Sequence, residues 1–527
     1  MAETDHWGRR IALPPIRREA HCGRVVRCFA DRPRSLHETF EHALAVNPDG
    51  DAVVFGDDRL SYRDLAAQVG EVSAALAQLG IGAGDRVAAL LPNRAEYVTL
   101  IYAVVRLGAI LLPLNIREAA PELAWVLNDS GARLLVYDAT LVANLPAPDD
   151  TPELATRQDI DTLFAALRKG SAAPVATVHE DEVALLLYTS GTTGRPKGAM
   201  LTHCNIVHSI MHYQLAMEIG PDDRSILAVP ISHVTGLVAL VATIIGAGAT
   251  LIIMPEFKAE RFLDLAAQER MTHSLIVPAM FNLCLLQPAM DTADLTHWRM
   301  AGYGGAIMPA VTIETIARRL PGLKLMNCYG ATETCSPAVL MPPACTAARS
   351  AQVGLPVPCG EIAIMDEEGR ELPPGEAGEI WIGGPMVAAG YWRNEDATAR
   401  EFTGGFWRSG DVGVRDADGF IAVVDRIKDV INRGGYKIFA SEVENVLLAV
   451  PGVIEVAVIA VPCPVLGERV HAHVVAEADV TEAELHEHCC AHLADYKRPE
   501  HYVFAEALPR NANGKVLKRM LRDAART

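Results

Sequence analysis

The chain has 527 residues, half of them hydrophobic and 21% charged, which suits a globular protein too long for one ordinary core, so a large domain with a smaller companion is expected. A formal net charge of -18 argues against non-specific binding to nucleic acid and requires any polyanion site to be basic locally. Eleven cysteines without paired spacing suit reduced thiols and a cytoplasmic location; residues 1–18 carry no signal-type apolar segment, and no window reaches the roughly 18 apolar residues of a membrane span.

Residues 1–35 read as a variable lead-in. Apolar spacing predicts a helix over 36–44, short strands over 51–55 and 59–62, and an amphipathic helix over 62–79 ended by Gly80. A strand over 85–91, a helix over 93–107 and a strand over 109–114 follow, and such alternation implies an α/β fold with largely parallel sheets. Residues 138–174, rich in Pro, Asp and Ala, are expected to form a less regular surface excursion.

The apolar run 183–187 then empties into Tyr188, Thr189, Ser190, Gly191, Thr192, Thr193, Gly194, Arg195, Pro196, Lys197 and Gly198. Glycines admit backbone N–H groups close to phosphate oxygens, hydroxyls donate further bonds and Lys197 adds a point charge, so the stretch has the composition of a phosphate cradle. It misses the general G-x-x-x-x-G-K-[ST] pattern twice, with Pro196 in place of glycine and Gly198 in place of a magnesium-binding hydroxyl. Read alone, it also fits a Gly/Thr-rich surface turn.

Next come a predicted helix over 204–217 and strands over 224–230 and 249–254, with a buried helix over 238–245 between the strands. His233, just before that helix, reads alone as a hydrogen-bonded core histidine. Residues 299–306, with Gly302, Gly304 and Gly305, read as a glycine-rich turn after a strand, and Asn327, Cys328, Tyr329, Gly330, Ala331, Thr332, Glu333 and Thr334 read as a strand running into a polar loop. A β region over 361–381 has a turn at 366–369, and a second hairpin turns at 416–419. From 432 a small α+β region of about a hundred residues is expected, with a helix over 441–450 and a strand over 453–460. His486, His488 and His492 offer metal-type ligands, yet Thr481 and Glu484 form a helix-start signature and the segment reads as a surface helix. Lys515, presented by an Asn513-Gly514 turn, reads alone as a surface charge.

Taken together, the 188–198 stretch, the Gly304-Gly305-Ala306 turn, the 327–334 segment, the 407–431 region and the 508–519 segment resemble, in order, the motifs of the adenylate-forming superfamily of acyl-CoA synthetases, firefly luciferase and peptide-synthetase adenylation domains. The resemblance covers 36–520, is nearest to acid:CoA ligases of the acyl- or 4-coumarate-CoA type, and implies a large N-terminal domain over 36–427 and a small mobile C-terminal domain over 428–527. It implies ATP, Mg2+ and CoA as small-molecule partners, with Thr189, Ser190, Gly191, Thr192, Thr193, Gly194 and Lys197 around the phosphates. Gly304, Gly305, Ala306, Asn327, Tyr329 and Gly330 would border adenine, Thr332 would meet the α-phosphate, Glu333 would hold magnesium, and Asp411 and Arg426 would take the ribose. By the same resemblance Lys515 is the C-terminal catalytic lysine, Lys428 the hinge, and Arg433, Gly434 and Gly435 the CoA channel. His233, Val234, Thr235, Val238, Ala239, Tyr303 and Cys328 would line the acyl pocket.

The implied reaction has two steps, an acyl-adenylate with pyrophosphate and then acyl-CoA with AMP. The pocket stretch offers no cation for a second carboxylate and no acid for an amine, so a monocarboxylic acid with an uncharged body is expected, and Tyr303 would shorten the pocket toward short, branched or ring acids. An enzyme loading a carrier-protein phosphopantetheine would share every motif. An amino-acid-activating domain, a luciferase-like oxygenase and a non-catalytic homologue fit less well. A homodimer is among the expected assemblies. Two departures stand out: Ser232 precedes the histidine where many relatives have an aromatic, and Ala440 replaces a common proline.

Overall fold

Short apolar runs alternate with amphipathic helices through most of the first 330 residues, and a computed structural model shows how they are layered. The structure describes residues 7–8, 10–189, 195–306, 308–477, 479–510 and 516–525. The chain divides into two compact units, Met1–Ile362 with Trp381–Arg408, and Ala363–Ile380 with Ser409–Thr527, so the 36–427 range expected from sequence runs across both.

Beside the two-stranded hairpin Ile16–His21 with Arg24–Phe29, the first unit holds two large sheets among the described residues. A six-stranded sheet runs in the order Lys197–Thr202, Val183–Thr189, Ile110–Pro113, Arg86–Leu90, Leu134–Tyr137 and Thr156–Asp159. Its strands are parallel except for the antiparallel pair Lys197–Thr202 and Val183–Thr189. A nine-stranded sheet is parallel through its centre, where Thr250–Ile253, Arg224–Leu227, His273–Ile276, Met300–Tyr303 and Lys324–Tyr329 lie side by side. These central strands are buried on both faces, which is why they read as continuous apolar runs.

Helix starts follow local chemistry. Ser61 and Asp64 close a capping box on Tyr62–Gln78, and Thr202 and Asn205 do the same for His203–Met217. The 138–174 segment is more regular than its composition suggests: Thr156–Asp159 extends the six-stranded sheet and Ile160–Ala165 is a helix. Both elements are too short for apolar periodicity to register. The buried helix expected over 238–245 is a π-helix, Thr235–Ala242, followed by an α-helical turn, Thr243–Gly246. The Thr243 hydroxyl donates to the Val238 carbonyl at 2.8 Å, five residues back, and at Gly236 a Cβ would stand 2.1 Å from the Pro230 carbonyl oxygen, so this close approach needs glycine.

In the second unit, Ile421–Arg426 pairs antiparallel with residues 411–415 around the expected 416–419 turn. Beyond it, Ile431–Arg433, Tyr436–Ile438, Val453–Cys463, Gly467–Ala476 and His501–Phe504 form a sheet against the helices Ala440–Leu448 and Glu482–His492. Ile431, Val443, Leu447, Val458, Val470 and Leu485 make the core of this α+β body. The Thr481–Glu484 capping box is present on Glu482–His492, and His492 Nδ1 bonds the His488 carbonyl at 2.8 Å, as a surface helix allows.

One buried side chain ties the nine-stranded sheet to the segment before His233. Asn93 donates to the carbonyls of Val229 and Met254 at 3.0 and 3.2 Å and accepts from the Ile231 N–H at 3.0 Å. Replacing Asn93 with Ala leaves those three groups without their partner, and we expect a loss of about 3 kcal/mol in unfolding free energy, read by chemical denaturation.

Candidate active site

The strands Val183–Thr189 and Lys197–Thr202 form a hairpin that pairs Thr189 with Lys197, so the residues on either side of the 190–196 loop face one another. Ser190, Gly191, Thr192, Thr193 and Gly194 lie outside the described residues. At Gly198 a Cβ would stand 2.9 Å from the Tyr188 ring, so glycine lets that ring lie flat on the hairpin while its hydroxyl donates to Asp129 at 2.5 Å.

The segment 388–392 runs along the same hairpin. Trp392 N–H donates to the Gly198 carbonyl at 2.8 Å, Met200 N–H to Gly390 at 2.9 Å, and Ala199 bridges Tyr391. This register sets Tyr391 beside Lys197, whose ammonium lies 4.1 Å from the ring centroid. Gly390 has φ of 144°, and a Cβ there would lie 2.7 Å from Thr398 in the following helix, Glu395–Glu401. That helix ends at Glu401, whose two carboxylate oxygens each accept from Lys197 Nζ at 2.7 Å.

Glu333 comes from a third direction. The strand Lys324–Tyr329 leads into a 3-10 turn, Thr332–Thr334, in which a Cβ on Gly330 would fall 1.5 Å from the Ser336 carbonyl oxygen. Ala388 N–H donates to the Glu333 carbonyl at 2.8 Å, and Ala331 N–H to the Thr334 hydroxyl at 2.9 Å. The Glu333 carboxylate accepts from Tyr391 at 3.0 Å and from Thr189, 144 residues away in the chain, at 3.3 Å. Tyr391 also reaches Glu401 at 2.7 Å, so one hydroxyl links both carboxylates.

The electrostatics follow from this packing. Burial pushes Glu333 above the ordinary carboxylate range. Burial acts the same way on Glu401, but the hydrogen bonds from Lys197 and Tyr391 outweigh it and hold that carboxyl low. Tyr391 is driven above the usual phenol range by burial and by the two carboxylates. A lysine, an acid with spare oxygen valence and two hydroxyls in one half-buried space can bind a polyphosphate and a hard cation together.

The other expected site residues fall into separate groups. Tyr303 and Asn327 are direct partners on neighbouring parallel strands, which places Gly304, Gly305 and Ala306 beside Tyr329, Gly330 and Thr332 at the C-terminal strand ends, where open α/β sheets bind ligands. A Cβ on Gly304 would stand 2.3 Å from the Cys328 carbonyl oxygen. Tyr303 and Cys328 are buried, Val238 and Ala239 lie buried on the π-helix, and His233, Val234 and Thr235 are half-buried at its start.

In the second unit Asp411 and Arg426 are cross-strand partners with an ion pair at 3.1 Å. Lys428 is exposed within a short 3-10 turn, Ile427–Asp429. Arg433 pairs with Glu500 at 2.8 Å, and Gly434 and Gly435 take φ of 58° and 89°, which favour glycine. Lys515 lies outside the described residues; its neighbour Val516 bridges Arg510. Sequence reasoning missed Tyr391 and Glu401. The Gly390-Tyr391-Trp392 cluster was a visible cue to the first, and nothing local marks the second.

Residues 40–392 match the family of AMP-binding enzymes and residues 442–515 match the AMP-binding enzyme C-terminal domain. The chain belongs to the AMP-binding enzyme family. Among its relatives, a feruloyl-CoA synthase from Amycolatopsis sp is 36% identical over 90% of this chain and 95% of its own length. A fatty acid--[acyl-carrier-protein] ligase, ScoC, from Streptomyces coeruleorubidus is 34% identical over 93% and 96%. The solved structure of ATP-bound MatB from Rhodopseudomonas palustris matches with a TM-score of 0.86 at 32% identity, over 93% of this chain and 99% of that one. The large N-terminal and small C-terminal domains expected from sequence are the arrangement of this adenylate-forming group.

Within this AMP-binding enzyme, Glu401→Gln keeps the shape beside Lys197 and removes the charge that holds it. We expect about a tenfold fall in kcat/KM for ATP with a lowered unfolding midpoint, since the nearly buried Lys197 loses its anion, while Tyr391→Phe, which frees Glu333 and Glu401 from one another, gives a loss in kcat/KM of similar size. Steady-state pyrophosphate release against ATP concentration checks both.

Proposed function

We propose that this AMP-forming acid:CoA ligase activates a monocarboxylic acid with an uncharged body, of short or medium, branched or ring type. The observation that supports it most is the meeting of Lys197, Glu333 and Thr189 around Tyr391, since a cation and a buried acid on one hydroxyl suit a nucleotide triphosphate with its counter-ion. In the first step a substrate carboxylate oxygen attacks the α-phosphorus of ATP, the bond to the bridging oxygen breaks, and pyrophosphate leaves. In the second the CoA thiol sulfur attacks the acyl carbon, AMP leaves, and the thiol proton passes to solvent.

The residues divide that work. Lys197 and the Ser190 to Gly194 loop hold the departing pyrophosphate, Thr332 donates to the α-phosphate, and Asp411 accepts from both ribose hydroxyls with Arg426 beside it. Gly304, Gly305, Ala306, Asn327, Tyr329 and Gly330 border the adenine. Glu333 is the residue that would hold magnesium, which supplies charge neutralisation between the phosphates when bound, and its buried oxygen between Thr189 and Tyr391 fits that group. Lys515 steadies the carboxylate and α-phosphate during the first step. The C-terminal domain then turns about Lys428, withdrawing Lys515 and bringing Arg433, Gly434 and Gly435 to the CoA channel.

The acid lies against the π-helix, with His233, Val234 and Thr235 at the mouth and Val238, Ala239, Tyr303 and Cys328 deeper. Support for a short body comes from Tyr303, whose bulky ring is buried at the deep end of the proposed pocket. A carrier-protein acceptor is the second reading, favoured by the 34% identity to ScoC. We place the enzyme in the cytoplasm, where eleven free cysteines persist, and no helix among the described residues is long and apolar enough to cross a membrane.

Pyrophosphate release with ATP, magnesium and CoA, over short, branched, alicyclic, aromatic and long-chain acids, tests the reading. We expect a CoA-dependent signal on one of the smaller classes; release without thioester on any acid selects the carrier protein. Lys515→Ala should cut adenylation at least a hundredfold while a supplied acyl-adenylate still reacts with CoA, and equal loss of both half-reactions would contradict the assigned role.

A further inference from the structure

Three soft donors converge within the first unit, two from the N-terminal hairpin and one from a helix far along the chain. His21 ends the strand Ile16–His21, Cys28 lies on its hairpin partner Arg24–Phe29, and Cys204 opens the helix His203–Met217. All three are buried, at 8%, 0% and 1% exposure, and one donor atom from each lies within 4.8 Å of the other two. We propose that Cys28, Cys204 and His21 form a binding site for a thiophilic tetrahedral cation, zinc in the first instance, that ties the N-terminal hairpin to the root of the phosphate-loop hairpin.

The donor set suits such an ion. Zinc takes thiolate sulfur at about 2.3 Å and imidazole nitrogen at about 2.0 Å, and two cysteines with one histidine are among its usual ligand sets. His21 Nδ1 meets Asp181 at 2.8 Å, and the other Asp181 oxygen accepts from Cys22 N–H at 3.2 Å. A carboxylate on Nδ1 keeps the proton there, the second-layer arrangement that orients metal-binding histidines, and the Nε2 proton that faces Glu19 Oε2 at 3.3 Å leaves to solvent when that nitrogen takes a metal. The Cys28 and Cys204 sulfurs lie close together across the hairpin and the helix start, so one ion can take both as thiolates.

Two neighbours bear on whether the ion fits. Arg32 Nη2 is 3.3 Å from His21 Nε2, but that guanidinium is anchored elsewhere, by Glu180 at 2.7 Å, Glu19 at 2.8 Å and the Phe29 carbonyl at 2.6 Å, so yielding that nitrogen does not strand it. His208 is already committed, with Nδ1 on the Cys204 carbonyl at 2.8 Å and Nε2 accepting from Phe29 N–H at 3.3 Å, and it braces the helix rather than ligating. Glu19, Glu180 and Asp181 surround the cluster with three carboxylates, which offset a dication. Glu19 Oε2, 3.3 Å from His21 Nε2, is an oxygen within reach of the fourth position.

The test uses the whole chain, reduced and stripped with a chelator, titrated with cobalt(II). We expect an intense thiolate-to-cobalt band in the near ultraviolet and tetrahedral bands in the visible, saturating at one equivalent and erased by one equivalent of zinc. Cys28→Ser and Cys204→Ser should each abolish the ultraviolet band, His21→Gln should weaken cobalt binding at least tenfold, and Cys359→Ser, which alters a buried cysteine outside the three, should leave it intact. The wild-type titration stands even if a variant fails to fold. Absence of the band in wild type, its survival in both cysteine variants, or a Cys28–Cys204 disulfide with no bound metal in air-purified protein would overturn the site. None of these readouts depends on ligase activity.

Discussion

Lys197 is only 11% exposed on its side chain, and an ammonium removed from water to that degree is costly unless an anion meets it with good geometry. Glu401 meets it with both oxygens, and the Tyr391 ring lies against it. The same tyrosine hydroxyl reaches Glu333, so the cation proposed for phosphate and the acid proposed for a metal share one scaffold. The pairing is a placeholder in charge terms. In the proposed roles, a pyrophosphate that takes Lys197 would supply more negative charge than Glu401, and a cation at Glu333 would offset the charge that burial disfavours there.

That scaffold places strict demands on backbone. Tyr391 can face Lys197 only because 388–392 pairs along the outer strand of the hairpin, with Ala388 on the Glu333 carbonyl and Trp392 on that of Gly198. Asn205, in the capping box of His203–Met217, donates to the carbonyls of Pro385 and Val387 at 2.7 and 2.9 Å and so holds the same segment from its other end. Gly330 and Gly390 supply two close approaches in that scaffold, where a side chain has no room. Preorganisation of this kind fits a reaction in which the protein has charges to place and little covalent chemistry of its own to do.

Most of this was legible in the sequence where one segment carries its own signal. The loop 188–198 and the segment 327–334 announce themselves by composition, and the strands and helices of 36–114 by periodicity. What stayed hidden depends on pairing between distant segments. Glu401 is an ordinary acid at the end of a seven-residue helix until the register of Ala199 with Tyr391 is known. The strand Thr156–Asp159 is four half-buried residues at a sheet edge, where alternation has no length in which to appear. The π-helix escaped for a different reason: a uniformly apolar stretch has no polar face by which its period could be read.

The packing beneath the proposed acyl site is not equally rigid throughout. Gly302 lies within the buried strand Met300–Tyr303, and the atoms that a Cβ there would strike include the Met217 methyl, the Leu275 branch and the Cys328 sulfur. Leu275 and Cys328 are held by neighbouring strands of the parallel sheet and have little freedom. Met217 is different, an unbranched side chain at the end of its helix whose sulfur rests 3.1 Å from His273 Nε2. Three rotatable bonds let such a side chain swing where a leucine would have to be repacked. The packing beneath the proposed acyl site therefore includes one side chain that can change rotamer without repacking the sheet, and His273, bonded on its other side to Ser225 at 2.9 Å, lies against its sulfur.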